Sequence, residues 1–263
     1  MALLEVRDLA VAFETEDGPV RAVDRVSFDV AEGETLAIVG ESGSGKSTIA
    51  LAIAGLLPSP PARVEAGALR LDGVDLLRLS PREWRSVRGT RIGMVFQDPA
   101  ASLTPWITVG EQIAEVLEVH RGARPRDARR AAVRALAEVG IADPEERVDA
   151  WPHELSGGMR QRATIAMALA LSPRLLVADE PTSALDATVQ AQVLDLLARL
   201  RERHGTAILL VTHSLGVVAA AADRALVMRA GAIVESAGVR ELYREPKEDY
   251  TRELLASAPG GRP

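Results

Sequence analysis

Eight consecutive residues, Gly40-Glu41-Ser42-Gly43-Ser44-Gly45-Lys46-Ser47, have the types and spacing to hold phosphate. They fit G-x-x-x-x-G-K-[ST], in which backbone N–H groups turn inward onto an anion, a lysine reaches the β- and γ-phosphates, and a hydroxyl ligates Mg²⁺. Thr48 continues the run into the next element and is counted with the nucleotide-contacting residues. Thr35-Leu36-Ala37-Ile38-Val39 ahead of the run predicts a short apolar strand, and Thr48 to Ala54 predicts an Ala-rich helix. A helix N-terminus adds partial positive charge at the anion. Among 31 Lys+Arg residues only Lys46 and Lys247 are lysines, so the compact point charge falls where a phosphate calls for one. A glycine turn that binds nothing is the plain alternative. The strand, the lysine and the hydroxyl falling into place together weigh against it.

A second constellation carries the complementary chemistry. Leu175-Leu176-Val177-Ala178 leads as a buried strand into Asp179-Glu180. An acid at such a strand end, beside a phosphate loop, holds Mg²⁺. Adjacent strand residues face opposite ways, so the two acids take different work. Asp179 is assigned to the metal. Glu180 is assigned to orienting the attacking water and taking its proton. A solvated carboxylate pair is the alternative, set aside because of the phosphate loop upstream and Pro181 to Asp186 downstream.

The elements needed to position these groups follow from patterning. Apolar runs at Leu3–Leu9, Val11–Phe13, Val26–Val30, 67–71 and 92–96 predict strands, with a turn at Asp72-Gly73. Helices are expected over 109–119, 125–139, 157–170, 187–203 and 216–222, and strands over 175–180, 207–212, 225–229 and 232–235. Strand–helix alternation after the phosphate loop predicts an α/β fold with a largely parallel, helix-flanked sheet. The stretch from about 98 to 160 reads as an inserted helical lobe. Its arginines Arg126, Arg129, Arg130 and Arg134 read as a solvated face rather than a phosphate patch.

Bulk properties narrow the classes. The chain has 263 residues, 47% hydrophobic and 26% charged, which suits one large domain or two small lobes. Net charge is −6 and the pI about 5.4, which disfavours a general nucleic-acid surface. The absence of cysteine removes disulfide, thiolate and iron–sulfur chemistry and fits a reducing compartment. No secretion signal is expected from the early charges after Met1, and no apolar run reaches the roughly 20 residues a membrane span needs.

With these residues in view the chain resembles the ATP-binding subunits of ABC transporters. Leu155-Ser156-Gly157-Gly158-Met159-Arg160-Gln161 resembles the family's signature motif, which other phosphate-loop NTPases lack. The resemblance implies that Ser156, Gly157 and Gly158 act on the ATP held by a partner copy. It implies that Gln97 links the γ-phosphate and Mg²⁺ to a transmembrane partner. It also implies that His213 is a γ-phosphate switch, that Ser183-Ala184-Leu185-Asp186 is a D-loop centred on Asp186, and that Phe13 stacks on adenine. The catalytic set expected is Glu180, His213 and Gln97, and the metal set Ser47, Gln97 and Asp179. The cofactors implied are ATP and Mg²⁺.

The expected architecture is a phosphate-loop NTPase core with an antiparallel β subdomain and a helical lobe. Residues 1–97 would form the β subdomain and the first part of the core, 98–160 the lobe, 161–235 the rest of the core, and 236–263 a C-terminal extension. Implied partners are a second ATPase subunit, two transmembrane permease chains and, indirectly, an extracytoplasmic solute-binding protein, at the cytoplasmic face of the membrane. No nucleic acid is expected.

Phe96-Gln97-Asp98-Pro99 to Pro105, and Tyr250-Thr251-Arg252-Glu253-Leu254-Leu255, resemble importers of peptides or nickel. Thr104 stands where that group usually has Asn, Ser214 where Asp is usual after His213, and Glu248-Asp249 where His-Pro is common. A non-transport ABC ATPase and an ATP-binding regulatory subunit are the rival readings.

Overall fold

The computed structural model describes residues 2–183 and 185–257; Ala184 of the expected D-loop, Met1, and residues 258–263 of the expected C-terminal extension lie outside the described residues. Two compact units emerge. One joins the chain up to Trp84 with the chain from Gly205 onward, and the other spans Arg85–His204.

In the first unit, the phosphate-loop strand Thr35–Val39 is buried at every position. A strand flanked by parallel neighbours and helices has no polar face to show, which explains its unbroken apolar run. Ala207–Thr212 and Arg224–Arg229 pair with it in parallel on its two sides, and Ala232–Gly238 adds antiparallel to the latter. Helix Lys46–Ile53 buries Ile49 and Ile53 completely.

The same unit carries an antiparallel β layer. The sequence suggests two runs, Leu3–Leu9 and Val11–Phe13, where the structure has one strand, Ala2–Thr15. The break falls on an irregularity of pairing: the register with the strand Gly18–Ala31 shifts between Leu9 and Val11, as it also does between Val6 and Leu9, where Asp8 adopts φ 49°. Ala62–Glu65 and Ala68–Leu71 also pair with this strand. The expected turn at Asp72-Gly73 is present, with φ of 50° and 77° at its two residues.

In the second unit, Ile92–Val95 and Leu175–Asp179 are parallel neighbours. Helices Val109–Arg121, Pro125–Glu138 and Gly157–Leu169 pack together and bury Ile113, Leu117, Leu136 and Ile165. A capping box starts the first of these: Thr108 Oγ1 accepts from Glu111 N at 3.3 Å, and Thr108 N donates to Glu111 Oε2 at 3.0 Å. Arg126, Arg129, Arg130 and Arg134 are exposed, with Arg129 paired to Asp149 and Arg130 to Asp127, as a solvated face requires. The 98–160 stretch lies inside this unit together with the two strands and helix Ala187–His204.

Candidate active site

The phosphate loop is built by close packing. A Cβ on Gly40 would lie 2.1 Å from the Met228 carbonyl oxygen, so only glycine lets the loop leave its strand there. Gly45 sits at φ 100°, with the Ala22 carbonyl 2.4 Å from where a Cβ would stand. That carbonyl is aimed by a bulge: Val11 pairs with Val23 and Ala12 with Arg21, leaving Ala22 as the extra residue. Gly231, at the tip of the hairpin between Arg224–Arg229 and Ala232–Gly238, donates its N–H to Ser44 O at 3.0 Å. Its own carbonyl accepts from Asp24 N at 2.9 Å.

Inside the loop, Lys46 is 5% exposed and donates from Nζ to Gly40 O at 2.9 Å and Glu41 O at 2.7 Å. The ammonium therefore sits within the curl of the loop. Ser42, Gly43 and Ser47 are exposed, Thr48 is half-buried, and Ser44 is buried behind them. Phe13 is half-buried on its strand, opposite Val20 and Ala62.

His213 follows the strand Ala207–Thr212, whose end pairs Thr212 with Val39 of the phosphate-loop strand. His213 and Gly40 thus leave neighbouring parallel strands at the same carboxyl end, the edge where α/β sheets bind ligands. The residues flanking His213 hold it: Ser214 N donates to Thr212 Oγ1 at 3.0 Å, and Ser214 Oγ accepts from Val217 N at 3.4 Å as cap of helix Leu215–Ala221. Serine and aspartate are comparable caps, so the departure at Ser214 keeps the local hydrogen bonding.

The second unit brings three expected residues together. Asp179 ends its strand 8% exposed. Glu180 follows at φ 47°, a left-handed conformation uncommon for this residue type. Gln97 Nε2 donates to Glu180 Oε2 at 3.1 Å. Ser183 Oγ and N both donate to the Glu180 carbonyl, at 3.1 and 3.3 Å, closing a tight turn behind the carboxylate. Asp186 has a structural duty as well: its Oδ1 accepts from Thr188 N and Val189 N, each at 3.0 Å, at the start of helix Ala187–His204.

Ser156 caps helix Gly157–Leu169, its Oγ accepting from Met159 N at 3.3 Å, and Ser156 and Gly157 are exposed there. The departure at Thr104 is absorbed by the main chain. Buried Gln112 accepts from Thr104 N at 2.8 Å and donates to Thr104 O at 3.0 Å.

The donor set suits Mg²⁺. In the second unit Asp179 offers a carboxylate and Gln97, its nitrogen on Glu180, an amide oxygen; in the first unit Ser47 offers a hydroxyl; these are donor types that Mg²⁺ takes. Among the described residues no group of three or more His, Cys, Asp or Glu could cage a metal.

The family model for ABC transporters matches residues 23–183. This chain belongs to the ABC transporter family. As such it is an ATPase of the phosphate-loop α/β class. The chain is 53% identical over 257 residues to an oligopeptide transport ATP-binding protein of Bacillus subtilis, covering 98% of this chain and 72% of that one. It is 50% identical over 259 residues to a dipeptide transport ATP-binding protein of Haemophilus influenzae, covering 98% and 78%. Among solved structures it matches the dimeric cassette MJ0796 in a post-hydrolysis state bound to ADP and Pi. That match has a TM-score of 0.80 and 29% identity, over 90% of this chain and 99% of that one.

Sequence reasoning missed Tyr250 as a neighbour of the phosphate loop. Its hydroxyl accepts from Glu41 N at 3.3 Å across 209 residues of chain, a separation that no local pattern reveals.

Proposed function

We propose that this chain is the ATP-hydrolysing subunit of a membrane importer for peptides, working at the cytoplasmic face beneath two permease chains fed by a solute-binding protein. None of its described helices is long and apolar enough to cross a membrane. The names of its relatives support peptides over nickel.

ATP is held by the run Gly40 to Thr48, with Lys46 turning from its loop carbonyls to the β- and γ-phosphates and Phe13 against the adenine. Glu180 takes a proton from water as its oxygen bonds to the γ-phosphorus and the bridging P–O bond to ADP breaks. Mg²⁺, held by Ser47, Gln97 and Asp179, would neutralise charge on the phosphates. His213 and Gln97 read the presence of the γ-phosphate. Ser156, Gly157 and Gly158 close on the nucleotide of a second ATPase subunit, identical or homologous, with Asp186 at the junction. Binding from both copies stabilises the closed state only while ATP is present.

The observation that carries this reading is the 3.1 Å hydrogen bond from Gln97 to Glu180, which ties the entry of the lobe to the candidate base. The test is peptide uptake. Cells deleted for the chain should lose uptake of a labelled tripeptide, and the native chain should restore it while Lys46→Ala does not. Uptake unchanged by the deletion would remove the peptide assignment.

A further inference from the structure

The Tyr250-Thr251 segment stands out in the sequence, and ATP chemistry leaves it without a task. The structure places it against the phosphate loop. Tyr250 is 6% exposed, with its ring in the cluster formed by Ala37, Val39, Leu215 and Val227. Its hydroxyl accepts from Glu41 N at 3.3 Å, and the Arg229 guanidinium lies 4.7 Å from the ring centroid.

We propose that Tyr250 is a positioning residue for the nucleotide site, holding the first turn of the phosphate loop in its binding shape. The backbone of Glu41 is gripped on both sides of its Cα: Tyr250 holds the N–H, and Lys46 holds the carbonyl at 2.7 Å. The lysine must leave that carbonyl to engage a phosphate. The tyrosine grip then remains, so the loop keeps its curl while the ammonium moves. A loop fixed in advance loses less conformational freedom on binding, which appears as affinity.

The tyrosine is itself anchored. The Glu235 carboxylate is 6% exposed and accepts from Lys247 N at 2.9 Å and Glu248 N at 3.1 Å, immediately ahead of helix Asp249–Ser257. Burial pushes this carboxyl up, but the hydrogen bonds it accepts, led by that from the Lys247 N–H, outweigh it and hold its pKa below the ordinary glutamate value. Glu235 belongs to the strand Ala232–Gly238, whose hairpin tip, Gly231, bonds Ser44 O. The hairpin thus reaches the loop directly at Ser44 and, through the C-terminal helix, at Glu41.

This proposal rests on the run Gly40 to Thr48 being the nucleotide site, and the experiment separates the two. Full-length Tyr250→Phe keeps the ring and removes the hydroxyl. Equilibrium titration with a fluorescent ATP analogue should show Kd rising about 3- to 10-fold, the loss expected for one neutral hydrogen bond. KM for ATP should rise in step, with kcat and Tm close to native. Arg229→Gln, an exposed change that only loosens the ring, should raise Kd about twofold, and it decides the matter should the tyrosine variant not fold. Unchanged Kd, or a lower Tm with unchanged Kd, overturns the positioning role. If Lys46→Ala loses binding while Tyr250→Phe does not, the loop assignment stands and the proposal alone falls. If Lys46→Ala binds as native does, both fall.

Discussion

At the scale of single residues, the proposed chemistry concentrates on Glu180. Its neighbour Asp179 points into the buried end of the strand, while Glu180 turns out at φ 47° and meets Gln97. Replacing the carboxylate by an amide preserves shape and removes basicity. Glu180→Gln should therefore retain ATP affinity within about twofold and lose about 100-fold or more in kcat. Single-turnover hydrolysis with radiolabelled ATP, alongside an equilibrium binding titration, measures both. A variant hydrolysing at near-native rate would move the base elsewhere.

At the scale of elements, a helix cap explains how the departure at Ser214 is tolerated. Ser214 starts helix Leu215–Ala221 with the same kind of bond that an aspartate would make. Ser214→Asp should leave unfolding stability and ATPase rate near native. Ser214→Ala should cost about 0.5–2 kcal/mol and loosen the backbone beside His213. Chemical denaturation and steady-state ATPase assays of the pair test this. If alanine proved as stable as serine, the cap would be idle.

Elements buried along their whole length were readable from the sequence. Thr35–Val39 and Ala207–Thr212 have every residue buried, so the apolar run and the strand coincide. Elements docked by one or two side chains were not. Pro81–Val87 buries Val87, and Asp249–Ser257 buries Tyr250 and Thr251, too few to form a periodicity. The loop residues of the site were legible because phosphate chemistry constrains their types. Its outer supports, the Ala22 bulge, the Met228 carbonyl and the Tyr250 hydroxyl, are set by long-range packing that leaves no motif.

At the scale of the whole molecule, the phosphate loop and the signature helix of one copy serve different nucleotides under the proposed function. Mixing two defective chains exposes this. Lys46→Ala removes a loop lysine and Ser156→Arg blocks a signature cap, so each variant alone should be inactive. Mixed in equal amounts they should recover about a quarter of native activity, since half the two-fold dimers carry one intact site of two. An ATPase assay across mixing ratios, with ATP affinity of the Ser156→Arg chain checked separately, reads this out. Activity absent at every ratio would argue against a nucleotide shared between copies.

The left-handed backbone at Glu180 carries a cost. Glycine relaxes at such a position, while a side chain that branches away from the polypeptide must be held there by its surroundings. Under the proposed function the pose serves to aim the carboxylate at the Gln97 amide, and a glycine there would relax the backbone while leaving that amide without its acceptor.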